Sequence, residues 1–249
     1  LKQIEVCVVG MASGDDNLRR IIRAHGDVHT IWGERIIARY APVLEPYLKD
    51  TDGDHKAAFK LFRDSVKNGW TFPCLYGSVA ESVSENMKIP ERIGTELWNE
   101  FWDEYPGVKA WQDKVRKIYR TKGYVECLTG RRRHEPLEST KIINSPIQGT
   151  ASDIVVDAMV RLSDLSVERD DTRYHPRINV HDELEFYIPN ERPLETIKEI
   201  AAYIVHPSYD FASDIPISVA ASHGPNWYDL ADCGLFYSDE LPKPQAGVN

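Results

Sequence analysis

Two short stretches hold the residues with the clearest chemical promise. In the first, Ile178-Asn179-Val180-His181-Asp182-Glu183-Leu184-Glu185-Phe186-Tyr187-Ile188, adjacent carboxylates interrupt a largely apolar run. The alternation from Arg177 to Ile188, broken in its middle, reads as a strand pair with His181-Asp182-Glu183 at the tip. Neighbouring carboxylates in a partly desolvated tip are costly unless a cation sits between them. Hard oxygen ligands of this kind suit Mg²⁺. A solvated turn explains the same three residues, because acidic side chains are common in turns. Alone, the triplet leaves both readings open.

The second stretch runs from Arg63 to Gly77. Arg63 and Lys67 are four residues apart, hence on one face of a helix. Two cations fixed in that way can clamp a polyphosphate. Phe72 and Tyr76 repeat the spacing and can stack against a base. Taken separately, each half reads more simply as an amphipathic surface helix with a core aromatic pair.

The elements that must position these residues fall into two textures. The first half is helical: a short helix from Asp15 to Ala24 opened by acidic residues, helical spacing over Val28–Tyr40 and Asp54–Asn68, a helix with Pro90 in its first turn running to about Glu104, and another from Pro106-Gly107 to Thr121. The texture then changes. Gly123 to Arg133 reads as a hairpin with Thr129-Gly130 at the turn. From Pro146 an amphipathic helix follows, its stripe formed by Ile147, Ala151, Ile154, Val155, Ala158 and Leu162. A helix from Glu195 to Val205 and a strand from Ile215 to Ala221 close the pattern. Helices first and a mixed block afterwards give an α+β protein of two subdomains.

Bulk properties bound the reading without deciding it. The chain has 249 residues, 42% hydrophobic and 28% charged, ordinary for a globular protein with a real core. No stretch approaches the roughly 20 apolar residues of a membrane span, so no membrane role is expected. The four cysteines are scattered with no C-x-x-C pair, which argues against a zinc knuckle and fits a reduced compartment. A net charge of −9 runs against a nucleic-acid partner. Two basic features, Arg131-Arg132-Arg133-His134 and Lys109 to Lys122, run the other way.

Together these pieces resemble family A DNA polymerases, the bacterial polymerase I group with its phage and organellar relatives. Arg63, Lys67, Phe72, Tyr76 and Gly77 resemble motif B, and Val180-His181-Asp182-Glu183 resembles motif C. Gln3-Ile4-Glu5 with Ser13 to Leu18 resembles motif A and its sequel, and Asp27-Val28-His29-Thr30 a fingers segment. Tyr105-Pro106-Gly107, Gly123 to Glu126, Gly130 to Arg132, Asn144 to Asp153 and Gly224 to Trp227 follow in the family's order. The likeness extends from Leu1 to about Leu230. The spacing around Lys67-Asn68 and Phe72-Pro73 leans toward a phage-type enzyme.

The resemblance implies a right-handed polymerase portion: palm over residues 1–26, fingers over 27–122 and palm again over 123–249. It implies nucleotidyl transfer from a dNTP to a primer 3′-hydroxyl with two Mg²⁺ ions, on primer–template DNA. Asp182 would bind the metals directly, and Glu183 more weakly. Lys67, Arg63 and His29 would hold the triphosphate, with Lys67 also in the catalytic set. Phe72 and Gln3 would line the nucleotide, and Glu5 would act as the gate against a ribose 2′-hydroxyl. Tyr76 would stand at the junction of template and insertion site. Asn144 and Gln148 would probe the minor groove, where correct pairs share acceptors. His181 would lie near the primer terminus, and Arg132 would also contact DNA. A cytoplasmic location follows, the host's if the source is a phage.

Two departures carry expectations. In the family, motif A begins with an aspartate three residues before the Gln of Gln-Ile-Glu, which here falls one residue ahead of Leu1. A two-metal site needs that partner for Asp182. The 249 residues are therefore expected not to polymerise alone, the aspartate, thumb and any exonuclease coming from a preceding segment or a second chain. In motif B, four residues instead of three separate Lys67 from Phe72. On a regular helix Arg63 and Lys67 would then face about 180° from Phe72 and Tyr76. A π-bulge near Gly69 would absorb the extra residue and restore one stripe, and Pro73, which cannot donate to the preceding turn, favours it.

Three other readings compete. A phage-type single-subunit RNA polymerase shares the plan, but Glu5 and the Asn144–Asp153 segment favour DNA. A non-catalytic polymerase-like scaffold is kept open by the aspartate position. A metal-dependent hydrolase built on His181-Asp182-Glu183 leaves Arg63 to Gly77 unexplained.

Overall fold

The computed structural model describes residues 1–244, so the last five residues of the expected palm segment lie outside the described residues. The chain divides into two compact units. One comprises residues 1–11, 126–132 and the chain from 146 onward; the other comprises residues 12–125 and 133–145.

Helix α1 (Ile4–Ser13) begins in the first unit, and the division falls in its last turn. The second unit is helical: α2 (Asp16–Arg23), α3 (Val28–Arg39), α4 (Glu45–Asp50), α5 (His55–Val66), a π-helical turn (Lys67–Thr71), α6 (Phe72–Leu75), α7 (Ala80–Met87), α8 (Glu91–Glu104) and α9 (Pro106–Lys122). Three of these helices start where an aspartate precedes the periodic run. Asp15 accepts from Leu18 N at 2.9 Å, Asp27 from His29 N at 2.9 Å, and Asp54 from Lys56 N at 2.9 Å. Each cap satisfies a backbone donor that the first turn leaves orphaned, worth about 1 kcal/mol. Pro90 stands at the N-cap position of α8, one residue earlier than expected, and Pro106 opens α9.

Aromatic burial holds this unit together. Trp32, Phe62, Trp70, Phe101 and Tyr105 are fully buried. The Trp32 indole donates to the Tyr105 hydroxyl at 3.2 Å, and its ring lies 5.9 Å from that of Trp70 and 5.0 Å from that of Phe101. The segment from Ala12 to Gly26, expected with the palm, groups here with the helical unit. The cause is polar: Asp15 Oδ2 accepts from Gly107 N at 2.7 Å, and Asn17 Nδ2 donates to Glu104 O at 2.8 Å.

The other unit is built on α10 (Ser139–Glu168), which joins it at Pro146. Its expected stripe of Ile147, Ala151, Ile154, Val155, Ala158 and Leu162 is buried throughout. The helix begins at Ser139, earlier than the expected Pro146, so that proline lies inside it. The residues ahead of Pro146 complete the turn, and the Pro146 carbonyl accepts from Thr150 Oγ1 at 2.8 Å.

Ala158, Leu162 and Leu165 pack with Tyr174 and with Ile200 and Ile204 of α11 (Pro193–Val205). The strands form small antiparallel ladders, completing an α+β fold: β1 (Tyr124–Glu126) with β2 (Arg132–His134), β3 (Ile178–Val180) with β4 (Glu183–Glu185), and β5 (Ser218–His223) with β6 (Ala231–Tyr237). Lys2 adds one antiparallel bridge to Ser218.

Candidate functional site

In the helical unit the π turn settles the spacing problem of the Arg63–Gly77 stretch. The amide of Phe72 donates to the carbonyl of Lys67, a five-residue step, while Tyr76 N returns to Phe72 O at 2.8 Å, a four-residue step. One residue is thereby absorbed and the stripe is continuous again. The Lys67 ammonium lies 5.5 Å from the centre of the Phe72 ring, within cation–π reach. Phe72 and Tyr76 stack with centroids 5.5 Å apart and planes 15° from parallel.

His29 joins this cluster edge-on to Phe72 at 5.3 Å. It is fully buried, and neither ring nitrogen has a hydrogen-bond partner. Burial, with a smaller contribution from Arg63 and Lys67 set against Asp27, pushes its pKa down to about 4. The imidazole is therefore neutral near pH 7, and reaching a ligand requires Phe72 or its neighbours to move aside. Arg63 is held by Asp27, whose Oδ2 is 2.6 Å from both Nε and Nη2, and by Asp64 at 3.0 Å. Five predicted residues, His29, Arg63, Lys67, Phe72 and Tyr76, thus meet in one place.

The last turn of this helix has partners that the sequence reading missed. Gln112 on α9, itself buried, donates to the carbonyls of Cys74 and Leu75. A glutamine one turn after the buried Val108, in an otherwise apolar stripe, was the available signal. No sequence signal linked Asp27 to Arg63, because the contact spans 36 positions.

In the other unit, Val180 pairs with Glu183, so His181 and Asp182 alone form the β3–β4 loop. His181 has φ +57°, a left-handed conformation that favours glycine, and it turns the chain within two residues. Asp182 is more open than the desolvated tip expected, with its side chain 52% exposed. A two-residue loop has no flanking structure to cover it. Leu1 N donates to Asp182 O at 2.7 Å and lies 3.8 Å from Asp182 Oδ2. Asp182 and Glu183 thus face the start of the chain. Gln3, at φ +51°, precedes α1, and Glu5 is half-buried in its first turn.

The expected DNA contacts are distributed. Gln148 is exposed on α10, and Asn144, one turn earlier, has a buried Oδ1 without a partner. Arg132 pairs with Glu126 across the β1–β2 ladder. Arg131 is likewise engaged, with Asp153 and the Gly149 carbonyl at 2.9 Å each, which weakens the basic run as a free patch.

Among the described residues no group of three or more His, Cys, Asp or Glu side chains is placed to hold a metal ion. Asp182 and Glu183 supply hard oxygen donors, but not a complete set. Among the described residues, too, no helix is long and apolar enough to cross a membrane.

Residues 1–229 match the family described as DNA polymerase family A. The thermostable DNA polymerase I of Thermus filiformis is 30% identical over 242 residues, covering 91% of this chain and 26% of that protein. DNA polymerase I of Lactococcus lactis subsp. lactis is 27% identical over 238 residues, covering 91% of this chain and 25% of its own length. The chain thus spans about a quarter of these relatives. In fold it resembles the POL domain of Pol1 from M. smegmatis, solved with DNA primer-template and dNTP, at a TM-score of 0.67 and 20% identity; the match covers 95% of this chain and 37% of that one. On the strength of the match over residues 1–229, the chain belongs to DNA polymerase family A.

Proposed function

We propose that this chain is the nucleotide-gripping and partial metal-binding portion of a template-directed DNA polymerase. The helical unit would serve as fingers and the mixed unit as palm. The observation that carries this reading is the π turn, which brings Arg63 and Lys67 onto the same stripe as Phe72 and Tyr76.

In the proposed reaction the primer 3′-hydroxyl attacks the α-phosphorus of a dNTP, forming a phosphodiester as pyrophosphate departs. Lys67 offers a cation to the triphosphate, and Arg63 adds a second once the nucleotide's charge draws it from Asp27. His29, neutral and unpartnered, donates one hydrogen bond to a phosphate oxygen when the cluster opens. The Phe72–Tyr76 pair packs against the base and sugar. Gln3 lines the nucleotide, and Glu5 is the gate that excludes a ribose 2′-hydroxyl.

Two Mg²⁺ ions, when bound, would activate the attacking hydroxyl and neutralise the leaving pyrophosphate. Asp182 and Glu183 form part of their ligand set. A carboxylate on a residue joined ahead of Leu1 would complete it, since the Leu1 nitrogen lies 3.8 Å from Asp182 Oδ2. We assign that carboxylate, with the thumb, to a preceding segment or a second chain. Asn144, Gln148, His181 and Arg132 are assigned to the primer–template DNA, and the cytoplasm, a host's if the source is a phage, to the location.

The test is primer extension by the intact polymerase that carries this chain, supplied with dNTPs or rNTPs. Template-directed extension with dNTPs, and a Lys67→Ala variant with KM for dNTP raised about tenfold or more, are expected. Extension with rNTPs alone, or an unchanged KM, would overturn the reading.

A further inference from the structure

Helix α6 ends in carbonyls that lie beyond the helix's own ladder and draw donors from outside it. Gln112 of α9 meets two of them: Nε2 donates to Cys74 O at 3.1 Å and to Leu75 O at 2.8 Å. Its Oε1 accepts in turn from Arg116 Nη2 at 3.4 Å. The Arg116 guanidinium lies against Gly77, where a β-carbon would stand 2.2 Å from Nη2. Gly77 also has φ +88°, a backbone angle that calls for glycine. The turn is closed by Gly77 N to Cys74 O at 3.0 Å and Ser78 N to Pro73 O at 2.8 Å, and Trp98 Nε1 donates to Ser78 O at 3.2 Å.

A carboxamide buried at 2% exposure costs desolvation that an apolar side chain of the same size would avoid. Core packing does not require it. What the amide uniquely does is register α9 against the backbone that carries Tyr76. Tyr76, carried on that backbone, stacks on Phe72 with centroids 5.5 Å apart.

We infer that Gln112 and Arg116 are positioning residues: a brace that fixes Tyr76 and Gly77 at the end of the nucleotide helix and sharpens selection of the incoming nucleotide. The selection role rests on the polymerase reading above; the brace itself does not.

The test has two arms. In the 249-residue chain, amide hydrogen exchange at Gly77 and Ser78 is compared between wild type and Gln112→Met, which keeps the volume and removes both hydrogen bonds. Exchange at these amides should quicken about tenfold or more, with the amides around Trp32 and Phe101 unchanged. In the intact polymerase, single-nucleotide insertion should show KM for the correct dNTP raised roughly five- to tenfold, kcat within about twofold, and a lower ratio of correct to mismatched insertion. Arg116→Gln, at the more open end, should act in the same direction more weakly, and it carries both arms if Gln112→Met does not fold.

Unchanged exchange would overturn the brace. Faster exchange with unaltered KM and mismatch ratio would reduce it to a structural contact and overturn the selection role. A wild-type enzyme that extends no primer would sink the polymerase reading and the selection role together, while the exchange arm still decides the brace.

Discussion

Asp27 faces two helices at once: its Oδ2 lies 2.6 Å from both Nε and Nη2 of Arg63, while its Oδ1 caps α3 through the amides of His29 and Thr30. One carboxylate therefore joins the helix bearing His29 to the helix bearing Arg63 and Lys67. Burial raises its pKa, but the hydrogen bonds and charge of Arg63 outweigh burial and leave it below the usual carboxylate range. Asp27→Asn keeps a good capping side chain and removes the charge. It should cost about 1–2 kcal/mol in urea unfolding at pH 7, since both partners are largely shielded from water. A change below about 0.3 kcal/mol would show the ion pair to be idle.

His29 makes the helical unit sensitive to acid. Its pKa is lowered to about 4, against 6.5 in the unfolded chain. Above pH 6.5 the imidazole is neutral in both states and adds no slope. As pH falls from 6.5 toward 4 the unfolded chain takes up a proton that the folded chain refuses, so stability is lost across that window. Between pH 7 and pH 5 the loss should be about 2 kcal/mol. Denaturant midpoints for wild type and His29→Phe measure it; an equal slope in the variant would exclude His29 as the source.

The π turn gives a prediction about chain length. Deleting Gly69 leaves three residues between Lys67 and the aromatic, a four-residue step, and a regular helix then keeps the stripe together. Nucleotide KM should stay within about threefold of wild type. Inserting an alanine after Gly69 rotates Arg63 and Lys67 by about 100° away from Phe72, and KM should rise about tenfold or more. Equal effects of deletion and insertion would show that phase is not what matters.

Phe72 is expected, by resemblance to the family, to discriminate against dideoxynucleotides. Phe72→Tyr should raise relative dideoxynucleotide incorporation about tenfold or more, equivalent to some 1.4 kcal/mol in transition-state discrimination. Competition of a dNTP with its dideoxy analogue in a primer-extension assay gives the ratio directly.

Legibility in the sequence followed periodicity and caps. The helix after Asp15 stood out through the acidic residues that open it, and those after Asp27 and Asp54 through helical spacing, although aspartates cap all three. The β3–β4 hairpin was legible from its alternation, and the π turn from the one extra residue in this stretch relative to motif B of the family it resembles. Helix α1 was not, since Ile4 and Val6 to Met11 are buried all round and no polar face marks a period. Strand β6 was missed because Ala231 to Tyr237 mixes Asp, Cys and Gly, and its pairing with β5 supplies the order that propensity does not. The start of α10 was misjudged because Pro146 reads as a beginning, whereas the turn ahead of it tolerates the ring. In the candidate site the charged and aromatic residues were named from sequence. Their partners were not: Asp27 for Arg63 and Gln112 for Leu75 are set by packing between helices, which no local spacing encodes.

The most direct test of the central claim is single-turnover incorporation of one dNTP by the intact polymerase carrying Asp182→Asn, with primer–template affinity measured alongside. The account predicts a rate lowered about 10³-fold, the scale seen when a group stabilising the transition state is removed, with DNA affinity within about threefold. An Asp182→Asn enzyme that incorporates at the wild-type rate would contradict it.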